Sequence, residues 1–108
     1  MALTKEAEQL LASMYKSYLE KRKLGESRMS AKQFGRSKDF QPVLVPRIPH
    51  RDVDDLCREL SCAKYLDIAF ESGTVVYAGL SDKAIVYLEN RFKDGFLSVV
   101  DFVSKFIP

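Results

Sequence analysis

Few residues of this chain are of types that could carry out chemistry. The single histidine, His50, could act as a base only beside a nucleophile and an orienting group, and no serine or cysteine motif surrounds it. Asp52, Asp54 and Asp55 lie close together, but on a predicted helix they lack the turn that wraps oxygen ligands around a metal ion. The five glycines are scattered and form no phosphate-binding loop. The sequence therefore predicts a protein that is not an enzyme and that has no metal site and no small-molecule cofactor.

The two cysteines, Cys57 and Cys62, fall five residues apart in one predicted helix, about 140° apart around its axis. This is a poor geometry for a disulfide, and neither cysteine has a second Cys or a His at metal-ligand spacing. We expect both to be buried free thiols, which behave as small hydrophobic residues.

The length and composition are typical of one small domain. At 108 residues, with 46% hydrophobic residues, the chain can bury a single core. No apolar run approaches the roughly 20 residues that span a bilayer, and the first residues lack the basic-then-apolar pattern of a signal peptide. We therefore expect one domain over 1–108, located in the cytoplasm, with no membrane partner.

Positive charge is concentrated in one part of the chain. Residues 21–51 carry nine basic and only two acidic side chains, whereas 52–108 carry six basic and ten acidic ones. Such a basic block favours an anionic partner. The alternative is a solvated face that complements the acidic 52–108 region of the same chain. The residues predicted to contact DNA phosphates are Arg28, Lys32, Arg36, Lys38, Arg47 and Arg51.

The first third of the chain has a clear helical pattern. Apolar residues over 7–19 recur at helical spacing and predict an amphipathic helix of about five turns. Thr4 is the predicted N-cap, and Gly25 is expected to end the helix in the left-handed conformation. A capping-box pattern starting at Ser30 predicts a short second helix over about 31–36.

The middle of the chain combines prolines with a second strong helical pattern. Three prolines exclude a continuous helix over 37–49, where Val43–Val45 are predicted to be extended and to pair with a strand end. A third helix is predicted over about 50–63. Its predicted outer face carries Arg51, Asp52, Asp54, Asp55, Arg58 and Glu59.

The spacing of apolar residues then changes from helical to alternating, which predicts a β-hairpin over 66–78. The connection 71–73 ends in glycine and favours a three-residue loop with a bulge. Ser81 is the predicted N-cap of a helix over 82–92, and an unusually apolar helix is predicted over 96–107.

The stretch from Tyr65 to Asn90 carries a resemblance to a known family. It is similar to the "hydrophobic hairpin, Leu-Thr-x-Lys-Gly, apolar helix" segment of small, uncharacterised bacterial and prophage winged-helix proteins, with Ser81 in place of the Thr and Ala84 in place of the Gly. The resemblance covers about 30–93. It implies an α+β, mostly helical winged helix-turn-helix fold with a two-stranded wing. The flanking segments 1–25 and 96–108 are predicted to be packed N- and C-terminal helices.

The resemblance also implies that the third helix enters the DNA major groove and that the wing touches phosphate. The wing region 65–80, however, has no Lys or Arg. The outer face of the third helix carries four acidic residues, which repel phosphate: Asp52, Asp54, Asp55 and Glu59. Two hypotheses follow. The chain is a DNA-binding transcriptional regulator that uses the basic residues of 28–51 on double-stranded DNA, or it is a protein–protein interaction module on the same scaffold that does not bind DNA.

The C-terminal segment has more apolar residues than one core-facing stripe needs. One explanation is packing against the first helix within a monomer, and the other is a homodimer in which the terminal helices meet their copies. Association with a membrane is disfavoured because the segment is too short to span one and has no basic face. The residues predicted to form the dimer contact are Phe96, Val99, Val100, Val103 and Phe106.

Overall fold

The computed structural model of the chain describes residues 2–106. In this part of the chain there are six helices and one two-stranded antiparallel sheet, which confirms a mostly helical α+β protein. The elements are α1 Lys5–Lys23, α2 Arg28–Ala31, α3 Ser37–Leu44, α4 His50–Cys62, β1 Leu66–Glu71, β2 Thr74–Leu80, α5 Asp82–Arg91 and α6 Phe96–Ser104.

The long helix α1 is the centre of the fold and packs against each of the other five helices. Thr4 caps it as predicted, since its hydroxyl accepts a hydrogen bond from the amide three residues on (3.3 Å). Gly25 has φ +93° and ends the helix in a Schellman motif: the Glu26 amide donates to the Lys21 carbonyl, and the Gly25 amide donates to the Arg22 carbonyl. Both predicted helix boundaries are confirmed.

A carboxylate from α4 also holds the first residue before α1. Glu59 accepts hydrogen bonds from the Thr4 amide and from the Thr4 hydroxyl, both at 2.8 Å. In a capping box this amide is bonded by a side chain from the helix's own first turn. Here the acceptor comes from 55 residues further along the chain.

Helix α2 lies earlier than predicted. Its N-cap is Ser27, whose hydroxyl accepts a hydrogen bond from the Ser30 amide (3.1 Å). The prediction of a helix over 31–36 capped by Ser30 was wrong, because Ser27 offers the same capping group three residues earlier. The Ser30 hydroxyl donates instead to the Glu26 carboxylate (2.9 Å).

The prolines were expected to exclude a continuous helix over 37–49, and none forms, because α3 ends at Leu44 and α4 begins at His50. A shorter helix over Ser37–Leu44 was not predicted. Pro42 lies inside the helix and removes only the hydrogen bond that its amide would have made to the Lys38 carbonyl. Tertiary contacts compensate, because Ser37 and Phe40 are buried. The Gln41 side chain also donates to the Ile48 carbonyl (2.9 Å), which holds the link to α4.

The strand end is paired by a different segment from the one predicted. Val43 and Leu44 belong to α3, so Val43–Val45 form no strand. Gln33 makes an isolated antiparallel bridge to Gly79 of β2 instead. The Leu80 amide also donates to the Lys32 carbonyl (2.9 Å), so the link between α2 and α3 lies along the edge of the hairpin.

Helix α4 begins at the predicted residue and buries the predicted apolar face, which includes Val53, Leu56, Cys57 and Leu60. One part of that prediction was wrong: Asp54 is not on the outer face but is only 7% exposed.

The hairpin is tighter than expected. Ser72 and Gly73 both have positive φ (53° and 81°) and form a two-residue turn, as in the type I′ turns that suit hairpin twist. The predicted three-residue loop with a bulge at the glycine was wrong. The irregularity lies between Ala69 and Phe70, opposite an extra residue in β2, Val76.

The C-terminal helices follow the predicted order. The Ser81 hydroxyl caps α5 by accepting a hydrogen bond from the Ala84 amide (3.1 Å), and Gly95 at φ +75° separates α5 from α6. Helix α6 ends at Ser104, three residues before the predicted limit, and residues 107–108 lie outside the described part. Helix α6 packs against α1, which confirms the predicted packing of the terminal helices. None of the helices in residues 2–106 is long and apolar enough to cross a membrane.

Candidate nucleic-acid interface

The structure does not bring the six candidate DNA-binding residues together on one surface. Arg28 and Lys32 both contact Asp82 of α5, and each has an N–O distance of 2.7 Å. The Lys32 hydrogen bond and charge, followed by the charge of Arg28, hold the pKa of Asp82 below its usual value. These two cations therefore have an internal counter-ion that an external phosphate would have to displace.

Arg36, Lys38 and Arg51 lie at a corner formed by the first residues of α3 and α4. The Ser37 hydroxyl and the His50 Nε2 atom are 2.8 Å apart, which fixes the start of α3 against the start of α4. Arg36 and Lys38 flank Ser37 in the chain, and Arg51 follows His50, so three exposed cations belong to residues next to this contact. We call these three residues, with Arg58 described below, the basic corner.

Arg47 lies elsewhere. It lines a cavity with Gln9 and Ser13 of α1 and Phe106. That cavity faces the terminal helices, so Arg47 is not part of the basic corner.

The six charged residues of α4 that were predicted to face outward fall into two adjacent rows. Arg51, Asp54 and Arg58 are spaced i, i+3 and i+7 and therefore share one side of the helix. This side faces the hairpin, because the Arg58 guanidinium lies 4.3 Å from the ring centre of Phe70 and Asp54 bonds to β2. Sequence reasoning placed Arg58 on the outer face but missed it as a candidate, although the seven-residue spacing from Arg51 was a usable signal.

The second stripe is acidic, and its last residue, Glu59, contacts the start of α1. Asp52, Asp55 and Glu59 have the same i, i+3, i+7 spacing. Glu59 bonds to Thr4, so its charge is engaged within the molecule. Of the four acidic residues expected to repel phosphate, only Asp52 and Asp55 are exposed and outside such contacts in the described part of the chain.

The buried carboxylate of Asp54 organises the corner. It accepts hydrogen bonds from the Ser37 hydroxyl (2.6 Å), the Val75 amide (3.0 Å) and the Thr74 hydroxyl (3.0 Å). Burial by itself raises the pKa of Asp54, but these three hydrogen bonds and the nearby His50 outweigh it, so the pKa is lowered overall. The charged carboxylate thereby joins α3, α4 and β2.

This cluster includes a serine, a histidine and an aspartate, yet its geometry is not that of a nucleophilic site. Ser37 is 0% exposed and gives its proton to Asp54, so the bond between Ser37 and His50 is donated by the His50 Nε2–H. A triad needs the opposite polarity, with the histidine accepting the serine proton. Sequence reasoning missed this contact because Ser37 and His50 are 13 residues apart without a motif.

The remaining reactive side chains are separated from the corner. Cys57 is buried as predicted, but Cys62 is exposed, so the prediction that both thiols are buried was wrong for Cys62. Burial, with a smaller effect from the Asp54 charge, raises the pKa of Cys57 to about 12. No cluster of three or more His, Cys, Asp or Glu side chains within residues 2–106 could hold a metal ion.

The predicted dimer-contact residues are only partly available. Val99 is fully buried in the monomer core, and Phe96 is half-buried with the Lys23 ammonium 5.0 Å from its ring centre. Val100, Val103 and Phe106 are half-buried and line cavities beside α1.

Comparison with known proteins gave no further assignment of this surface. No protein-family model matches the chain. No curated protein and no solved structure shows significant similarity to it.

Proposed function

We propose that this chain is a winged-helix DNA-binding regulator that uses the basic corner, Arg36, Lys38, Arg51 and Arg58, to contact the backbone of duplex DNA. The order α3, α4 and hairpin supports this proposal, with α4 as the recognition helix and β1–β2 as the wing. Gln33 adds a short third edge to the hairpin, which helps to fix the wing against the helices.

The separation of charge on α4 is the observation that carries the proposal. The arginines of α4 lie on the side that faces the hairpin, beside the exposed cations at the start of α3. Of the acidic residues in the second stripe, Glu59 is already bonded to Thr4, whereas Asp52 and Asp55 are exposed. A duplex that contacts the hairpin side of α4 therefore meets Arg51 and Arg58, while Asp52 lies further around the helix and Asp55 lies at the border between the two rows.

The wing contributes little charge to this interaction. Its exposed residues include Asp67 and Glu71 of β1, and it carries no Lys or Arg. We therefore assign the phosphate contacts to the helices. We expect the wing to contact the DNA through its shape and not through its charge. Four phosphate contacts give an expected slope of log K against log salt of about −3 to −4.

The test is the binding of labelled duplex DNA of mixed sequence, measured by fluorescence anisotropy over a series of salt concentrations. Arg51→Ala with Arg58→Ala should weaken binding and reduce the magnitude of the salt slope by about 2. Lys93→Ala is the matched control, because Lys93 is exposed and lies between α5 and α6. Absence of binding at low salt, or an unchanged slope in the double variant, would contradict the proposal.

A protein–protein interaction module is the second candidate function. It is favoured by two exposed apolar side chains, Val43 of α3 (78% exposed) and Leu97 of α6 (77% exposed). Exposed apolar residues of this kind are typical of contact surfaces when they adjoin a groove. A chain that binds no DNA at low salt would favour this second function.

A further inference from the structure

The turn between α1 and α2 presents two apolar side chains to solvent. Leu24, the C-cap of α1, is 84% exposed, and Met29 of α2 is 71% exposed. Helix α2 buries Ala31, which directs Met29, about 200° away around the helix, outward from the core. The turn folds back onto α1, since the Glu26 amide donates to the Lys21 carbonyl (3.0 Å). Both apolar side chains therefore lie at the C-terminal end of α1.

A third exposed apolar side chain lies at the same end of the molecule. The Lys23 ammonium is 5.0 Å from the ring centre of Phe96, the first residue of α6. This contact places the start of α6 beside the end of α1. Leu97, the next residue of α6, is 77% exposed. Three of the seven large apolar side chains that are exposed in residues 2–106 are thus gathered at one end of α1.

Exposed cations stand next to these apolar residues. Lys23 precedes Leu24 in the chain, and Arg28 precedes Met29. The Arg22 guanidinium, also exposed, donates to a backbone carbonyl of the turn (3.0 Å), and this contact does not neutralise its charge. Apolar and cationic side chains therefore alternate here. We call this surface the α1 end, and its members are Arg22, Lys23, Leu24, Arg28, Met29 and Leu97.

The charge balance around the α1 end is positive. Residues 21–32 and their partner on α5 supply five cations and two carboxylates, a net charge of +3: Lys21, Arg22, Lys23, Arg28 and Lys32 against Glu26 and Asp82. Glu20, one turn before Leu24, is already paired with Lys16 (3.5 Å). Lys93 and Asp94, just before α6, add one charge of each sign. A positive surface of this kind favours an anionic partner.

The alternation of the two side-chain types indicates which anionic partner fits. A lipid bilayer offers headgroup phosphates to cations and acyl chains, just beneath them, to apolar side chains. Duplex DNA would pair with the cations but would leave the exposed leucines without an apolar environment. A protein partner favours a continuous apolar core with charges confined to the rim, and here cations separate the apolar side chains.

A contact of this kind is peripheral and needs no spanning helix. The expectation of no membrane partner rested on the lack of a spanning run and on the lack of a basic face in the C-terminal segment. In the folded chain the basic residues beside Leu97 come from α1 and α2, which no pattern within that segment could indicate.

We propose that the α1 end binds the surface of an anionic lipid bilayer. Leu24, Met29 and Leu97 enter the boundary between headgroups and acyl chains, and the cations beside them contact lipid phosphates. This inference is independent of DNA binding, because the basic corner is formed by other residues at the starts of α3 and α4.

The test is co-sedimentation of the full chain with vesicles at low salt. The vesicles consist of phosphatidylcholine alone or of phosphatidylcholine mixed with anionic phosphatidylglycerol. The chain should bind only the mixed vesicles, and binding should weaken as salt is added. Two double variants, Leu24→Ser with Met29→Ser and Arg22→Gln with Lys23→Gln, should each weaken partitioning by at least about tenfold.

Val86→Ser is the matched control and should bind vesicles like the wild type. Val86 is an exposed apolar residue of α5 (57%), and its neighbour Tyr87 bonds to Glu8 in the first turn of α1, away from the α1 end. The chain has no tryptophan, so Leu24→Trp introduces a single fluorescent reporter. Its emission should shift to shorter wavelength with mixed vesicles, and the emission of Val86→Trp should not.

Circular dichroism verifies that each variant is folded. A wild type that does not bind mixed vesicles at low salt would overturn the proposal, even if it binds DNA. Equal binding by the wild type and the folded Leu24→Ser, Met29→Ser variant would also overturn it, because the contact would then be electrostatic alone. Vesicle binding that is lost in this variant but retained in the Arg51→Ala, Arg58→Ala variant would support a lipid surface separate from the basic corner.

Discussion

The Asp54 carboxylate offers a direct test of how the corner between α3, α4 and β2 is held. We expect Asp54→Ala to destabilise the protein strongly, because the carboxylate is buried and accepts three hydrogen bonds. Two of the donors, the Ser37 hydroxyl and the Val75 amide, are themselves buried. The third, the Thr74 hydroxyl, is half-buried and can bond to water.

The expected loss follows from what happens to each donor. The Val75 amide has no alternative acceptor in the described contacts, and leaving a buried donor unpaired costs about 1–3 kcal/mol. The Ser37 hydroxyl can turn toward the Val75 carbonyl, 3.4 Å away. Losing its hydrogen bond to Asp54 should therefore cost only about 1 kcal/mol. The free energy of unfolding should therefore fall by about 2–4 kcal/mol. Asp54→Asn keeps one acceptor oxygen and should lose less, about 1–2 kcal/mol.

The assay is urea unfolding followed by circular dichroism, repeated from neutral to acidic pH. It measures the decrease in the free energy of unfolding and the part of that decrease that depends on the charge of Asp54. The pKa of Asp54 is lowered in the folded state, so the unfolded chain takes up the proton first as the pH falls. The stabilisation of the wild type relative to Asp54→Asn should thus be constant above the unfolded pKa of 3.8. It should decline as the pH falls further, through the lowered folded pKa.

Asp55→Ala is the control for this experiment. Asp55 is the next residue of α4, but it is exposed and makes no hydrogen bond or ion pair within the described residues. Its loss should change the free energy of unfolding by less than about 0.5 kcal/mol. If Asp54→Ala were no more destabilising than Asp55→Ala, the network would not be holding the corner, and our account of it would be refuted.

Two further predictions concern the backbone and the thiols. Gly25→Ala should lower the free energy of unfolding by about 1 kcal/mol, because φ is +93° there while the space around the Cα is open; urea unfolding measures this, and an unchanged stability would contradict the left-handed turn. In the folded protein one thiol, Cys62, should react quickly with Ellman's reagent, and Cys57 should react only after denaturation, because it is buried and its pKa is raised to about 12. Cys62→Ser should abolish the fast phase, and two fast thiols in the native wild type would disprove the assignment.

Elements with local signals were predictable from the sequence. Helix α1 has a long apolar stripe between Thr4 and Gly25, and both boundaries depend on groups within a few residues of them. The N-cap of α5 at Ser81 is equally local. In these cases the periodicity and the capping chemistry agree, so no knowledge of tertiary contacts is required.

Local sequence signals were ambiguous for the start of α2 and for the formation of α3. Ser27 and Ser30 are both plausible caps, and the helix begins at the earlier one. Pro42 argued against a helix, yet burial of Phe40 and the bond from Gln41 to the Ile48 carbonyl outweigh one missing backbone bond. Helix propensity alone does not show whether such tertiary contacts outweigh the missing backbone hydrogen bond.

The candidate site was the least predictable part. Helical spacing assigned Asp54 to the outer face, and nothing in the sequence indicates that Ser37 and Thr74, 17 and 20 residues away, would surround it. The basic corner was half predictable, since Arg36, Lys38 and Arg51 were identified by charge. The engagement of Arg28 and Lys32 by Asp82, more than 50 residues away for Arg28, was not.

The bond between Glu59 and Thr4 has a consequence for how the protein opens. Helix ends usually fray independently of the rest of a fold, and their first amides exchange hydrogen with water rapidly. The Thr4 amide instead donates a hydrogen bond to the Glu59 side chain of α4, so its exchange requires this long-range bond to break. The start of α1 is therefore closed by a long-range contact, and the protection of this amide reports on the bond between Thr4 and Glu59.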